Sequence, residues 1–426
     1  MSRQRSEEFL NRLSWVVPGG ASANARCGSP IAIACGEGAE LIDLDGNRYV
    51  DYILGFGPIL LGHGHPEVAE AVAKAMRRGT TFAFSHELEY AVAERIVRMC
   101  PSVEMVRLCN SGTDAATTCY RIAAARTSSN GVIKVQGDYH GGFDPVLHDV
   151  PGVEPGPPDC RPQPCGTGII PAATDLVTTV PFNSVAAMEA ALDLGSVAAV
   201  FMEPIMGNTA ALMPEPGYLQ AVRDLCSARR VVLVFDEVKT GFRVARGGAQ
   251  EYLGVRSDLT MFGKALGNGL PIAAVGGRRD LMGLVCPNGV HHCGTYYGNL
   301  PCTAAAEAVL SILQAADYAA LHRRGARLAE GIRGLLAAAG IAAHWHGVGA
   351  MFGITIGPER PRDYRSWWQQ TDRRFWIAVA NQLRDLGVLT DGFIGLFFLS
   401  FAHTDEQVDR TLAACAEAIR RCAGAG

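Results

Sequence analysis

The stretch VVLVFDEVKTGFRVARGGAQEYLGVRSDLTMFGKALGNGLPIAAVGG (231–277) decides the fold. It holds three short apolar runs, VVLVFDE (231–237), LTMFGKA (259–265) and IAAVGG (272–277). Apolar runs of this length without polar alternation read as strands buried on both faces. Working outward, VEMVRLC (103–109), GVIKVQG (131–137) and VAAVFME (197–203) have the same character, and helical spacing of apolar residues recurs at 113–126, 184–194 and 216–229. Strands separated by helical crossovers predict an α/β fold with a mostly parallel central sheet.

Either side of this core the pattern changes. Residues 1–30 read as a short amphipathic helix followed by a loop, and AELIDLDGNRYVDYI (39–53) reads as a hairpin turning at Asp45-Gly46-Asn47. Helical spacing occupies 66–78 and 87–99. PGVEPGPPDCRPQPCGTGIIP (151–171) is too rich in Pro and Gly for regular structure and reads as a long surface loop. From residue 304 the chain turns helical, with strand-like runs at GAMFGITI and GVLTDGFIGLFFLSFA and a last helix over 405–423. The expected organisation is an N-terminal segment (1–70) contributing to a small domain, a large domain (71–303) and a C-terminal small α+β domain (304–426).

The composition narrows the function. The 426 residues carry 38 basic and 42 acidic side chains, a balance with no electrostatic footprint for nucleic acid. No apolar run approaches the roughly 18–20 residues of a membrane span, and the N-terminus has no apolar core of signal-peptide length. A cytoplasmic location is expected. The 13 cysteines are odd in number and scattered, with no CxxC pair. Cys160 with Cys165, and His291 with His292 and Cys293, come nearest to a metal site, and neither cluster has a matching partner. Reduced thiols and no metal are expected.

In open α/β sheets ligands bind beyond the carboxyl ends of the strands. After the first run comes Asn110-Ser111-Gly112-Thr113-Asp114 and then a helix. Its free N–H groups and dipole suit a phosphate, although Ser111 or Thr113 could equally serve as an ordinary cap. Glu203 and Asp236 end two other runs. A carboxylate there is costly to ionise without a cationic partner; a protonated ring nitrogen of a ligand or a nearby arginine such as Arg243 would serve Asp236. Lys264, among glycine and apolar neighbours, would be a desolvated, nucleophilic amine unless it snorkels to solvent. A phosphate cradle, a strand-end Asp and a Schiff-base Lys are together the parts that pyridoxal phosphate requires. A nicotinamide-binding oxidoreductase is disfavoured, because Gly55-Phe56-Gly57 is followed next by Gly62 and GxGxxG is not met.

Long motifs then occur in the order of a known family: PGGASANAR (18–26), GEGAELIDLDGNRYVDYI (36–53), GPILLGHGHPEV (57–68), LCNSGTDA (108–115), DYHGGFD (138–144), MEPIMGN (202–208), FDEVKTGFRV (235–244), FGKALGNGLPIAAVGG (262–277), GTYYGNLPCTAAA (294–306) and FLSFAHTDEQVDRTL (398–412). The chain resembles the class III, fold-type I pyridoxal-phosphate aminotransferases, most of all their glutamate-1-semialdehyde aminomutase branch. The resemblance implies a seven-stranded central sheet and a homodimer with composite active sites. It makes Lys264 the Schiff-base lysine and proton shuttle, and Asp236 the partner of the pyridinium nitrogen. Val238 and Tyr139 would cover the two ring faces, and Ser111, Gly112 and Thr113 would bind the phosphate. Thr295 would reach the phosphate of the neighbouring subunit. Glu203 would lie on the 3-hydroxyl side and order Tyr139 or His140, and Arg26 would meet a substrate carboxylate.

The departures concern substrate. The aminomutase branch carries a Glu where this chain has Gly395, a Trp where it has Phe56, and an uncharged residue where it has Lys239. A DEVK-x-G-x-R pattern is similar to aminotransferases that aminate sugar aldehydes in aminoglycoside biosynthesis. The resulting expectation is transfer of an amino group between an amine or amino-acid donor and an aldehyde or ketone, with an amino-sugar intermediate as the specific acceptor. The alternatives are the aminomutase reaction, or epimerisation or elimination on an amino sugar. YRSWWQQTDRRFW (364–376) is aromatic and basic, with an amphipathic helix as its ordinary reading. The purified protein is expected to be yellow and to bleach with borohydride; a colourless protein would point to a non-catalytic scaffold.

Overall fold

The computed structural model describes residues 2–157 and 161–424. Cys160 and part of the Pro/Gly-rich loop therefore lie outside the described residues. The chain begins with helix α1 (Gln4–Ser14), followed by strands β1 (Ile33–Glu37), β2 (Glu40–Asp43) and β3 (Arg48–Asp51) and helices α2 (Pro66–Arg78) and α3 (Glu87–Met99). Asp43 closes the β2–β3 turn by accepting from the backbone N–H groups of Asp45 and Asn47 at 3.0 and 2.8 Å.

The central part runs β4 (Met105–Cys109), α4 (Gly112–Thr127), β5 (Gly131–Val135), α5 (Pro171–Thr174), β6 (Val177–Val180), α6 (Val185–Asp193), β7 (Val197–Met202), α7 (Tyr218–Arg229), β8 (Val232–Asp236), α8 (Ala249–Leu253), β9 (Leu259–Phe262) and β10 (Ala273–Gly277). These strands form one sheet, seven-stranded among the described residues, in the order β4-β10-β9-β8-β7-β5-β6. Pairing is parallel from β9 through β8, β7 and β5 to β6, while β10 runs antiparallel to both β9 and β4. The apolar runs are these strands to within three residues, and β6 is an additional edge strand that the run pattern does not predict. Val234, Phe235 and Met261 are buried between layers of helices, which is why these strands carry no polar alternation.

The remainder comprises α9 (Arg279–Met282), α10 (Leu300–Gln314), α11 (Tyr318–Ala338), β11 (Ala343–Val348), β12 (Met351–Ile356), α12 (Tyr364–Gln370), α13 (Arg373–Asp385), β13 (Val388–Leu389), β14 (Leu396–Phe398) and α14 (Asp405–Ala423). β13 joins the N-terminal strands in the order β1-β2-β3-β13, and β11-β12-β14 form a third sheet. The aromatic segment is thus two helices. In it Arg373 stacks on Trp368 with its guanidinium carbon 3.9 Å from the ring centroid, a cation–π contact that accounts for that arginine among the tryptophans.

No single helix among the described residues is long and apolar enough to cross a membrane. Each described cysteine is a free thiol, and no group of three or more His, Cys, Asp or Glu among the described residues is placed to hold a metal.

Arg243 ties distant segments together. It is fully buried and donates to Gly57 O at 2.6 Å, Leu399 O at 2.7 Å and Ala350 O at 3.1 Å. Each carbonyl belongs to a connection between strands or helices; Ala350 O also accepts from Leu399 N at 3.1 Å, while Gly57 O and Leu399 O rely on the guanidinium. Arg243→Met should leave the Gly57 and Leu399 carbonyls unpaired and lower the unfolding free energy by about 3 kcal/mol, read as a lower urea midpoint.

Candidate functional site

Beyond the carboxyl edge of the sheet lies a cavity of about 360 Å³. Strand ends and the turns that follow them deliver its polar walls: Ser111, Gly112 and Thr113 after β4, Tyr139 and His140 after β5, Glu203 after β7, Asp236, Val238 and Lys239 from β8, and Lys264 after β9. Residues far apart in the chain meet here because parallel strands end at the same edge.

The first wall is the N-terminus of α4. Ser111 is its cap, accepting from Asp114 N at 3.2 Å while its hydroxyl donates to Asp114 Oδ2 at 2.8 Å. The capping role is therefore real, and the donors left for an anion are backbone N–H groups of the first turn. Thr113 Oγ1 accepts from Gly142 N at 2.9 Å. Gly141 has φ +92, and a Cβ there would stand 2.5 Å from Thr113 Oγ1. That closeness requires glycine and brings the two turns together into one cradle.

The ring-sized floor carries carboxylates with defined partners. Asp236 Oδ2 bonds His140 Nδ1 at 2.8 Å, and Asp236 Oδ1 accepts from Val238 N at 2.9 Å. Arg243, the other candidate partner, is occupied with backbone carbonyls instead. The neighbouring Glu237 faces away, accepting from Thr240 Oγ1 at 2.9 Å and from Gln250 N at 3.1 Å at the start of α8. Glu203 Oε1 accepts from Tyr139 N at 3.0 Å and from Asn208 Nδ2 at 2.6 Å. Glu203 Oε2, His140 Nε2 and Asn110 Oδ1 are buried without a hydrogen-bond partner. Unsatisfied buried polar atoms around one cavity are what a polar ligand would complete.

Tyr139 is 45% exposed, and it lines the cavity. Val238 lies between the phosphate turn and the lysine turn: a Cβ on Gly112 or on Gly263 would stand 3.4 Å from it. Lys264 opens a short 3₁₀ turn (Lys264–Gly267) with φ +45, a left-handed conformation that is strained for a residue with a Cβ. Its side chain is half-buried against the cavity, and desolvation, reinforced by the charge of Lys239, holds the amine well below the usual lysine range. A neutral amine in a cavity is a nucleophile toward an aldehyde. A phosphate cradle, an anionic strand end and this amine fit a phosphorylated pyridine aldehyde.

Other predicted residues lie elsewhere. Arg26 and Phe56 line a separate groove of about 800 Å³ together with Asp51, His63 and Asp391. Thr295 is exposed and is not among the residues lining either space. Lys239 is buried in the cofactor-sized cavity, donating to Gly207 O at 2.7 Å and Asn208 Oδ1 at 2.6 Å. Sequence reasoning did not assign Asn208, Asn110 or Asp391. Asn208 closes the quoted motif MEPIMGN, a signal that was available; Asp391 carries none.

Comparison with known proteins agrees with this geometry. The Aminotransferase class-III family model matches residues 22–419. The glutamate-1-semialdehyde 2,1-aminomutase of Roseiflexus castenholzii is 40% identical, over 99% of this chain and 98% of that protein. Among solved structures, an omega-transaminase from Sphaerobacter thermophilus superposes with a TM-score of 0.93 at 30% identity, covering 98% of this chain and 97% of that one. A transaminase with PLP bound superposes with a TM-score of 0.92 at 27% identity, covering 100% and 99%. The chain belongs to the class III aminotransferases, enzymes of the fold-type I architecture whose cofactor is pyridoxal 5′-phosphate.

Proposed function

We propose that this enzyme moves an amino group from a carboxylate-bearing amine donor to an aldehyde or ketone, with an amino sugar of antibiotic biosynthesis as the acceptor class. When bound, pyridoxal 5′-phosphate supplies a reactive aldehyde and a ring that takes up the electrons released at the substrate carbon. The protein's part begins with the α4 N-terminus and the Thr113 turn, which would hold the phosphate. Asp236, oriented by His140, would accept from the ring nitrogen, and Glu203 would face the ring hydroxyl while fixing the Tyr139 backbone. Tyr139 and Val238 would cover the ring faces. Lys264 Nζ would hold the aldehyde carbon of the cofactor and, as the amine nearest the reacting centre, would serve as the base that moves the proton at the substrate carbon.

The observation that carries the transaminase reading is Gly395. It has φ +72, and a Cβ there would stand 2.5 Å from Ile354 O. No acidic side chain fits the position where the aminomutase branch has its Glu. The wide groove beside the cavity supports an acceptor with hydroxyl groups, since Arg26, Asp51, His63, Thr390 and Asp391 place donors and acceptors along it. Arg26 is assigned to the donor carboxylate. The aminomutase reaction is the second reading, supported by the name and 40% identity of the Roseiflexus relative.

Thr295 is assigned to the phosphate of a second copy in a homodimer. Strands β1–β3 and β13 with the β11-β12-β14 sheet are assigned to a small domain built from residues 1–70 and 304–426, beside a large domain of 71–303.

Spectroscopy of the half-reaction tests the reading: glutamate, with no acceptor present, should convert the bound cofactor to its amine form. Rapid conversion of glutamate semialdehyde to aminolevulinate would instead establish the aminomutase. Lys264→Ala should reduce amino transfer by at least about 10³-fold, the scale of a lost general base. Arg26→Ala should raise KM for amino-acid donors roughly tenfold or more, the scale of one charge-assisted pair, and leave a sugar amine nearly unaffected. Gly141→Ala should weaken cofactor retention by roughly tenfold, read by equilibrium dialysis, because the displaced Thr113 turn spoils the cradle.

A further inference from the structure

The second lysine of the cavity is unexplained by the roles above. Lys239 is buried, and burying an ammonium is costly without a partner. Yet both of its hydrogen bonds go to neutral acceptors, Gly207 O and Asn208 Oδ1. Its Nζ also lies 5.9 Å from the centroid of the Phe398 ring, a face that favours a cation. The stem packs closely against Gly207: a Cβ on that glycine would stand 2.8 Å from Lys239 Cδ. A charge tethered by two hydrogen bonds in the cavity that Lys264 also lines, and not cancelled by a bonded carboxylate, acts on whatever shares that cavity.

We propose that Lys239 is a positioning residue for Lys264: its tethered ammonium is a fixed positive charge that biases the neighbouring amine toward the uncharged, nucleophilic form. The proposal rests on the aminotransferase reading, in which Lys264 carries the cofactor. Desolvation pulls Lys239 below the usual lysine range, and Glu203, Asp391, Asp236 and Asp138 work against that pull and favour its charged form; Glu203 and Asp236 likewise favour a protonated Lys264. Lys239 and Arg243 oppose protonation of Lys264, and desolvation of that amine acts in the same direction. His140 stands behind Asp236. Of the two cations, only Lys239 lines the cavity.

The competing explanation is mechanical. Asn208 bridges Lys239 to Glu203, and Glu203 holds Tyr139, so Lys239 also braces the wall. Titrating the visible absorbance of the holoenzyme, without substrates, separates charge from bracing. Lys239→Met removes charge and hydrogen bonds, Lys239→Gln keeps a hydrogen-bonding group without charge, and Lys239→Arg keeps the charge. The pH midpoint should rise by about one unit or more in the Met and Gln variants, the scale of one nearby charge in a protein interior, and stay near wild type in the Arg variant. A midpoint unmoved in the Met or Gln variant, or moved equally in the Arg variant, would overturn the proposal. For a variant that loses cofactor, the pH dependence of Lys264 acylation in the apoprotein, read by peptide mass mapping, gives the same comparison. Failure of the amino-transfer reading would appear separately, as absence of donor and acceptor turnover by the wild type.

Discussion

At the carboxyl edge of the central sheet the chain takes Asp236, Glu203, Lys239 and Lys264 out of bulk water around a single cavity. Charges in such a place persist only when partners replace the lost hydration, and an amine without such partners sheds its proton. The site follows from how each group meets that condition. Asp236 has His140 and Val238 N, Glu203 has Asn208 and Tyr139 N, and Lys239 has two carbonyl oxygens. Lys264 is the exception, the amine left to be neutral. The sheet supplies the geometry, because parallel strands bring their last residues to one edge and the following turns need not span far.

Much of this architecture was legible in the sequence. Double-sided burial writes itself as an uninterrupted apolar run, so β5, β7, β8 and β9 could be placed to within two or three residues. β6 escaped because VTTV is a short edge strand pairing only with β5, and an edge has less apolar surface to bury. The antiparallel course of β10 escaped for a different reason: burial is the same whichever way a strand runs, and only the connecting length could have hinted at it.

The site divides along the same line. Lys264, Asp236 and Glu203 announce themselves as polar residues at the ends of apolar runs, where an uncompensated charge needs an explanation. Their partners do not. His140 and Asp236 are separated by 96 positions, and nothing local to either states the contact. The groove is harder still, since Arg26 and Asp391 approach it from opposite ends of the chain. Chemistry carried by one residue in a distinctive local setting can be read from sequence; chemistry carried by a meeting of residues needs the fold.

The groove also shows how such a wall can change. Leu54, Gly55, Phe56 and Gly57 adopt φ of 48, 64, 68 and 105°, four left-handed residues in succession, and a Cβ on Gly57 would press within 3.1 Å of Phe398. The path of this corner is therefore set by its backbone, with glycines on both sides of Phe56 absorbing the turn. Phe56 shares that left-handed course, a conformation strained for a residue with a Cβ, and the glycines beside it take up the rest of the turn. Exchanging the group at 56 would change the wall of the groove while leaving in place the glycines that carry the turn. Adaptability and constraint are thus interleaved residue by residue along the same short corner.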